Sequence, residues 1–191
     1  KRDDLTGLAL GGNKVRKLEF LVGEALSQGC DTLVTGGAAQ SNHCRQTAAA
    51  AAACGLACHL TLGGEPPSVA EGNLLLDQFL GAVIHWTGEL RKGEKIPEIA
   101  QSLRSIGHKP YVVPYGGSNT TGAIGFVEAV RELTDQLARS GKSITHIVFA
   151  SSSGGTQAGL TVGKSLFGRE CELIGIGIDK GASGDVPFGE H

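Results

Sequence analysis

The 191-residue sequence contains no methionine. Its first residue is therefore not an initiator, and residue 1 is not to be taken as a natural start. The opening KRDDLTG reads as the tail of a strand and the closing GDVPFGEH as a loop, so the chain is expected to be a piece of a longer protein. An excess of charge is also missing, since 17 basic residues stand against 19 acidic ones. That small negative balance gives no general attraction to nucleic acid or to an anionic membrane. No apolar run approaches the roughly 18 residues of a spanning helix, and no signal peptide is apparent. The five cysteines are odd in number and irregularly spaced, which fits a reducing cytoplasm better than a disulfide framework. What is left is a soluble globular chain, 40% hydrophobic, with material for one or two ordinary cores.

What is present is a rhythm. Short apolar runs at 31–35, 57–62, 82–86, 111–114, 146–150 and 172–178 alternate with longer helical patterns, as in a parallel sheet built from βα units. Gly29, Gly55, Gly81 and Gly107 each follow a helical segment, where a left-handed cap closes the helix before the next strand. The nearly unbroken apolar character of the strands predicts an α/β fold of open, mainly parallel sheets with helices on both faces. The rhythm breaks at PYGGSNTTG, residues 114–122, which marks either a domain boundary or a ligand loop ahead of a long helix. The alanine run 48–53 reads as a close-packed helix.

Two strand-to-helix turns carry candidate chemistry. In FASSSGGTQAG, residues 149–159, a strand ends in a Ser/Gly loop that leads into a helix near Thr156. Converging N–H groups, a helix N-terminus and hydroxyls from Ser151 to Ser153 and Thr156 suit a phosphate, although an ordinary serine-capped turn has the same appearance. In GGAAQSNHCRQ, from residue 36, Ser41 is placed as an N-cap, and Gln40, Ser41, Asn42 and His43 in succession offer more donors than capping needs, as an anion such as a carboxylate would require. The plainer alternatives are a simple cap at Ser41 and a structural His43. Cys44, Cys54 and Cys58 with His43 and His59 lack paired ligand spacing and read as buried small residues, so no metal is expected. Two glycine patterns mislead. AGLTVGKS, residues 158–165, has Ala158 at the first glycine position of a phosphate loop and lies within a helix, while GIGIDKG, residues 175–181, has only part of a dinucleotide fingerprint.

The stretch GGNKVRKLEF, residues 11–20, poses a different problem, because Lys14, Arg16 and Lys17 crowd the first turn of a helix. Each exposed cation there costs roughly 0.3–1 kcal/mol against the helix dipole. A lysine behind two glycines is open to a planar ligand, and once bonded to an aldehyde it no longer opposes the dipole as a free ammonium does. Lys14 then reads as a covalent cofactor anchor, with Arg16 and Lys17 directed to solvent or to an acid such as Glu19 or Asp3. A lysine, a phosphate cradle and a carboxylate-binding helix end together are what pyridoxal 5′-phosphate chemistry on an amino acid requires.

With these stretches in order, the sequence resembles the D-cysteine desulfhydrase and 1-aminocyclopropane-1-carboxylate deaminase family, in the tryptophan synthase β-like group of pyridoxal-phosphate enzymes. KRDDLTGLALGGNKVRKLEFL, GGAAQSNHCRQTAAAAA, EGNLLLDQFLGA, PYVVPYGGSNTTGAIGFVEA and SSSGGTQAGL carry the resemblance over nearly the whole chain. It implies that Lys14 carries the cofactor and later serves as a base, and that Asn42 meets the cofactor ring. It also implies that Ser41, with Gln40, Asn42 and His43, faces the substrate, and that Ser153, Gly154, Gly155 and Thr156 hold the phosphate. A small domain over 17–118 is implied, with 1–16 and 119–191 belonging to an incomplete large domain of a homodimer. The implied reaction is lysis of D-cysteine to pyruvate, ammonia and sulfide. The alternatives are deamination of 1-aminocyclopropane-1-carboxylate, or a non-catalytic fragment that binds phosphate or cofactor.

Overall fold

The computed structural model describes residues 1–168 and 170–178, so the end of the chain, including GDVPFGEH and the last residues of GIGIDKG, lies outside the described residues. Four strands, β1 (Thr32–Ala38), β2 (Ala57–Gly63), β3 (Val83–Trp86) and β4 (Pro110–Val112), form one parallel sheet in the order β3-β2-β1-β4. Parallel neighbours need crossovers, which α2 (Asn42–Ala53), α3 (Gly72–Phe79) and α4 (Ile96–Ser105) supply. Alternation along β1 sends Leu33 into a core with Leu60, Leu62 and the buried alanines of α2, and sends Val34 to the opposite face against Ile96 and Leu103 of α4. Helices thus cover both faces of this sheet. The chain leaves β1 in one direction and returns to its other side at β4, so the carboxyl ends of β1 and β4 flank a topological switch point, where open α/β sheets leave a crevice.

A second parallel pair, β5 (His146–Ser151) with β6 (Glu172–Gly177), follows the long helix α5 (Thr120–Ser140). Phe149, Ile147 and Leu173 pack toward Phe126, Val130 and Leu160, which lie on α5 and on α6 (Gly155–Leu166). The other face of this pair presents Val148, Ile174 and Ile176 to solvent among the described residues. Close helix contact explains the glycines of the misleading AGLTVGKS pattern. A Cβ on Gly159 would stand 2.3 Å from the Ala123 carbonyl oxygen of α5, and one on Gly163 would stand 2.8 Å from Val130 Cβ. They are packing glycines.

The first helix, α1 (Lys14–Ser27), sits between the two halves and buries Leu18, Leu21, Val22 and Ala25. Burying each large aliphatic side chain contributes about 1.5–3 kcal/mol. A Cβ on Gly125 of α5 would lie 2.0 Å from the Arg16 carbonyl oxygen, so α1 and α5 touch backbone to backbone. One expectation is corrected here: KRDDLTG is no strand but a 3₁₀ turn, Asp3–Leu5, whose Asp3 carbonyl accepts from Gly12 N–H at 2.9 Å. Gly29, Gly55, Gly81 and Gly107 have positive φ, as caps require. Of the cysteines, Cys30, Cys44, Cys58 and Cys171 are buried, but Cys54 is exposed, contrary to its reading as a buried residue. No cluster of three metal-ligating groups occurs, and no helix is long and apolar enough to cross a membrane, among the described residues.

Candidate active site

The switch point opens into a cavity of about 360 Å³ lined by residues from separate parts of the chain. Asn13 and Lys14 come from the start of α1, Ser41, Asn42 and His43 from the turn after β1, Tyr115 and Gly116 from the turn after β4, and Ala150–Gly154 with Thr156 from the turn after β5. The structure therefore brings Lys14, Ser41, Asn42, His43, Ser153, Gly154 and Thr156 to one place. Gln40 and Gly155 do not line this space.

Each side chain is held for a local reason. Ser41 is the N-cap of α2, its Oγ accepting from Cys44 N–H at 3.2 Å. His43 is buried, and its Nε2 lies 2.8 Å from Thr35 Oγ1. Thr35 donates to the Val113 carbonyl at 2.9 Å, so its Oγ1 accepts from His43 Nε2–H. Burial, with the nearby charges of Lys14 and Lys17, pushes the His43 pKa down to about 3, so this ring is neutral. Gln40 turns away: its Nε2 donates to the Glu71 carbonyl at 3.0 Å and its Oε1 accepts from Asn73 N–H at 2.8 Å.

The three cations of the first turn separate. Arg16 donates from Nε to Asp3 Oδ1 at 2.9 Å and from both terminal nitrogens to the Glu132 carboxylate at 3.2 Å, so Asp3 is one of its acids, as expected. Lys17 corrects the expectation, for it reaches neither solvent nor an acid. It is 1% exposed, and its Nζ donates to the Gly116 carbonyl at 3.1 Å and to Ser118 Oγ at 3.0 Å. Burial, reinforced by the charge of Lys14, lowers its pKa to about 7. Burial also lowers the pKa of Lys14 itself.

Ser118 ties Lys17 to the turn before α6. Its Oγ lies 2.6 Å from Ser153 Oγ and accepts from Gly155 N–H at 3.3 Å. A Cβ on Gly155 would stand 2.6 Å from Ser118 Oγ and 3.0 Å from Lys17 Nζ, so only glycine lets the three groups close together. Gly154, the residue before α6, adopts φ of +80° and lines the cavity. A helix N-terminus, hydroxyls and a buried ammonium converge here, a combination that suits a dianion. Sequence reasoning missed Lys17 and Ser118. The signal available was the i, i+3 spacing of Lys14 and Lys17, which sets both on one side of α1.

A model of the family described as pyridoxal-phosphate dependent enzyme matches residues 1–184. A D-cysteine desulfhydrase of Klebsiella pneumoniae (strain 342) is 45% identical over 193 aligned residues, covering 98% of this chain and 58% of that protein. A putative 1-aminocyclopropane-1-carboxylate deaminase of Pyrococcus abyssi is 46% identical over 185 residues, covering 93% and 54%. The crystal structure of a protein described as an ACC deaminase homologue matches with a TM-score of 0.85 at 42% identity, over 93% of this chain and 54% of the other. A pyridoxal 5′-phosphate-dependent aspartate racemase, at 19% identity and a TM-score of 0.66, shares the fold. The chain spans little more than half the length of the relatives it matches.

Proposed function

We propose, from the premise that this chain belongs to the pyridoxal-phosphate dependent enzymes, that the whole protein is a lyase acting on D-cysteine. One observation carries the reading: Lys14, the polar start of α2 and the turn before α6 line a single cavity although they lie far apart in sequence. The residues present fit the cofactor. The donors that line the cavity suit an anionic aldehyde: the Lys14 amine, the Ser41 and Ser153 hydroxyls, and Thr156 in the first turn of α6. Lys14 would hold the cofactor through its amine, Asn42 would meet the ring oxygen, and Ser153 to Thr156 with Lys17 and Ser118 would hold the phosphate. When bound, pyridoxal phosphate supplies an electron sink for the charge left at the substrate α-carbon.

The side chains then divide the remaining work. Once the substrate's own amine has displaced it, the amine of Lys14, its pKa lowered by burial, would take the proton from the substrate α-carbon. Ser41 Oγ–H and the adjoining N–H groups of α2 orient the substrate carboxylate. Loss of the β-carbon–sulfur bond releases sulfide, and addition of water gives pyruvate and ammonia. We divide the chain into a small domain over 17–118 and flanks at 1–16 and 119–191 that belong to a larger domain, because the four-stranded and two-stranded sheets are built from separate stretches. The whole protein is read as a homodimer in a reducing cytoplasm, with four of its thiols buried and unpaired.

The test uses the whole protein. D-cysteine is expected to yield sulfide and pyruvate, and Ser41→Ala is expected to keep the cofactor's colour while kcat/KM falls tenfold to a hundredfold. That is the equivalent of one charge-assisted hydrogen bond, about 1.5–3 kcal/mol. Unchanged kinetics would reduce Ser41 to a helix cap. The deaminase relative at 46% identity supports a second reading, which wins if 1-aminocyclopropane-1-carboxylate is consumed and D-cysteine is not.

A further inference from the structure

Asn42 is held from behind by residues that do not belong to the cavity. Its Oδ1 accepts from Arg45 Nη1 at 3.2 Å and from Asn73 Nδ2 at 2.9 Å. Arginine has no acceptor, so the Asn42 atom facing it must be the oxygen, and the same holds for Asn73, whose Oδ1 accepts from Arg45 Nη1 at 2.9 Å. The Asn42 amide is thereby turned so that Nδ2 is the end available to the cavity that Asn42 lines. The same guanidinium donates from Nη2 to the Gly11 carbonyl at 2.8 Å, beside Gln46 Nε2 at 2.9 Å. Gly11 opens the GGNK turn that leads to Lys14.

Asn73 is itself fixed. Its Nδ2 donates to the Gln40 carbonyl at 2.7 Å, and its backbone N–H donates to Gln40 Oε1 at 2.8 Å. Gly72, at φ of +56°, lets this turn close on Gln40, whose Oε1 would stand 2.6 Å from an added Cβ. The titratable groups around this corner are Lys14, Lys17, His43, Cys44 and Asp77. Asp77 is fully buried, and burial raises its pKa to about 7 against the opposing charge of Arg45.

We propose that Arg45 and Asn73 are positioning residues, a clamp that orients Asn42 as a hydrogen-bond donor to the ring oxygen of pyridoxal phosphate and fixes the turn that presents Lys14. The proposal rests on the reading of Lys14 and Asn42 as cofactor-holding residues. A guanidinium on the amide oxygen polarises the amide and strengthens its N–H as a donor. A stronger donor favours the ionised ring oxygen, and weakening it shifts the cofactor's titration upward.

The readout is the pH midpoint of the visible absorbance of the bound cofactor in the whole protein. Asn73→Ala and Arg45→Met are each expected to raise this midpoint by about 0.5–1 unit, as loss of an ordinary hydrogen bond from one protonation state would. In an Asn42→Ala background neither change is expected to shift it further, because the clamp acts through Asn42. If Arg45→Met does not fold, the uncharged Asn73→Ala carries the same comparison. An unaltered midpoint, or an equal shift with and without Asn42, overturns the clamp alone. Failure of the wild-type protein to take the cofactor on Lys14 overturns both the clamp and the reading beneath it.

Discussion

Lys14→Ala is expected to abolish the visible band of bound cofactor and its fixation by borohydride, whereas Lys17→Ala is expected to leave the attachment point in place and weaken retention. Both amines are shielded from solvent and both have lowered pKa values, so chemistry alone does not separate them. Geometry does. Lys14 lines the cavity, while the Lys17 ammonium is committed to the Gly116 carbonyl and Ser118 Oγ beside the turn before α6. Loss of the Lys17 charge is expected to lower affinity tenfold to a hundredfold, the scale of one charge-assisted hydrogen bond at about 1.5–3 kcal/mol. Reduction followed by peptide mapping is expected to find the cofactor on Lys14. Finding it on Lys17 or Lys164 would overturn the assignment.

Gly155→Asp is expected to lower affinity for pyridoxal phosphate at least a hundredfold. Its Cβ would enter the space held by Ser118 Oγ and Lys17 Nζ, and its carboxylate would pair with the ammonium meant for the phosphate. The helix N-terminus welcomes an acidic residue, about 0.3–1 kcal/mol, so the added charge by itself does not destabilise α6. Gly155→Ala separates the two causes, keeping the steric intrusion without the charge, and a smaller loss is expected. Titration that shows unchanged affinity in Gly155→Asp would remove the phosphate from residues 153–156.

The strands and their order of appearance were legible because buried parallel strands leave dense apolar runs and because caps such as Gly29 and Gly55 need positive φ, a property that is local. The partners of Lys17 were not. Its helical position was readable, but Ser118 and Gly116 lie about a hundred residues away in sequence and are brought to it only when α5 packs on α1 through Gly125. Gln40 misled for the opposite reason. It adjoins Ser41 in the chain, yet the turn after β1 sends the two side chains to different neighbours, and Gln40 is taken up by residues 71–73. KRDDLTG has no strand-like alternation, and what shapes it is the Asp3 carbonyl accepting from Gly12, nine residues on, a pairing that apolar periodicity does not report.

If Lys17 holds the phosphate as proposed, anion capture is expected to be coupled to protonation of its buried amine. With its pKa lowered by burial to about 7, a fraction of the molecules would carry a neutral amine at that pH, and a bound dianion would pull the equilibrium back to the charged form. Capture therefore takes up protons from solution, more of them as pH rises above 7, and affinity falls along the same range. Calorimetry with sulfate, whose own charge is constant there, is expected to show a heat that varies with the ionisation enthalpy of the buffer at pH 8, a dependence that Lys17→Met removes. On that expectation, the acidity of the surroundings would tune loading of the site before any substrate arrives.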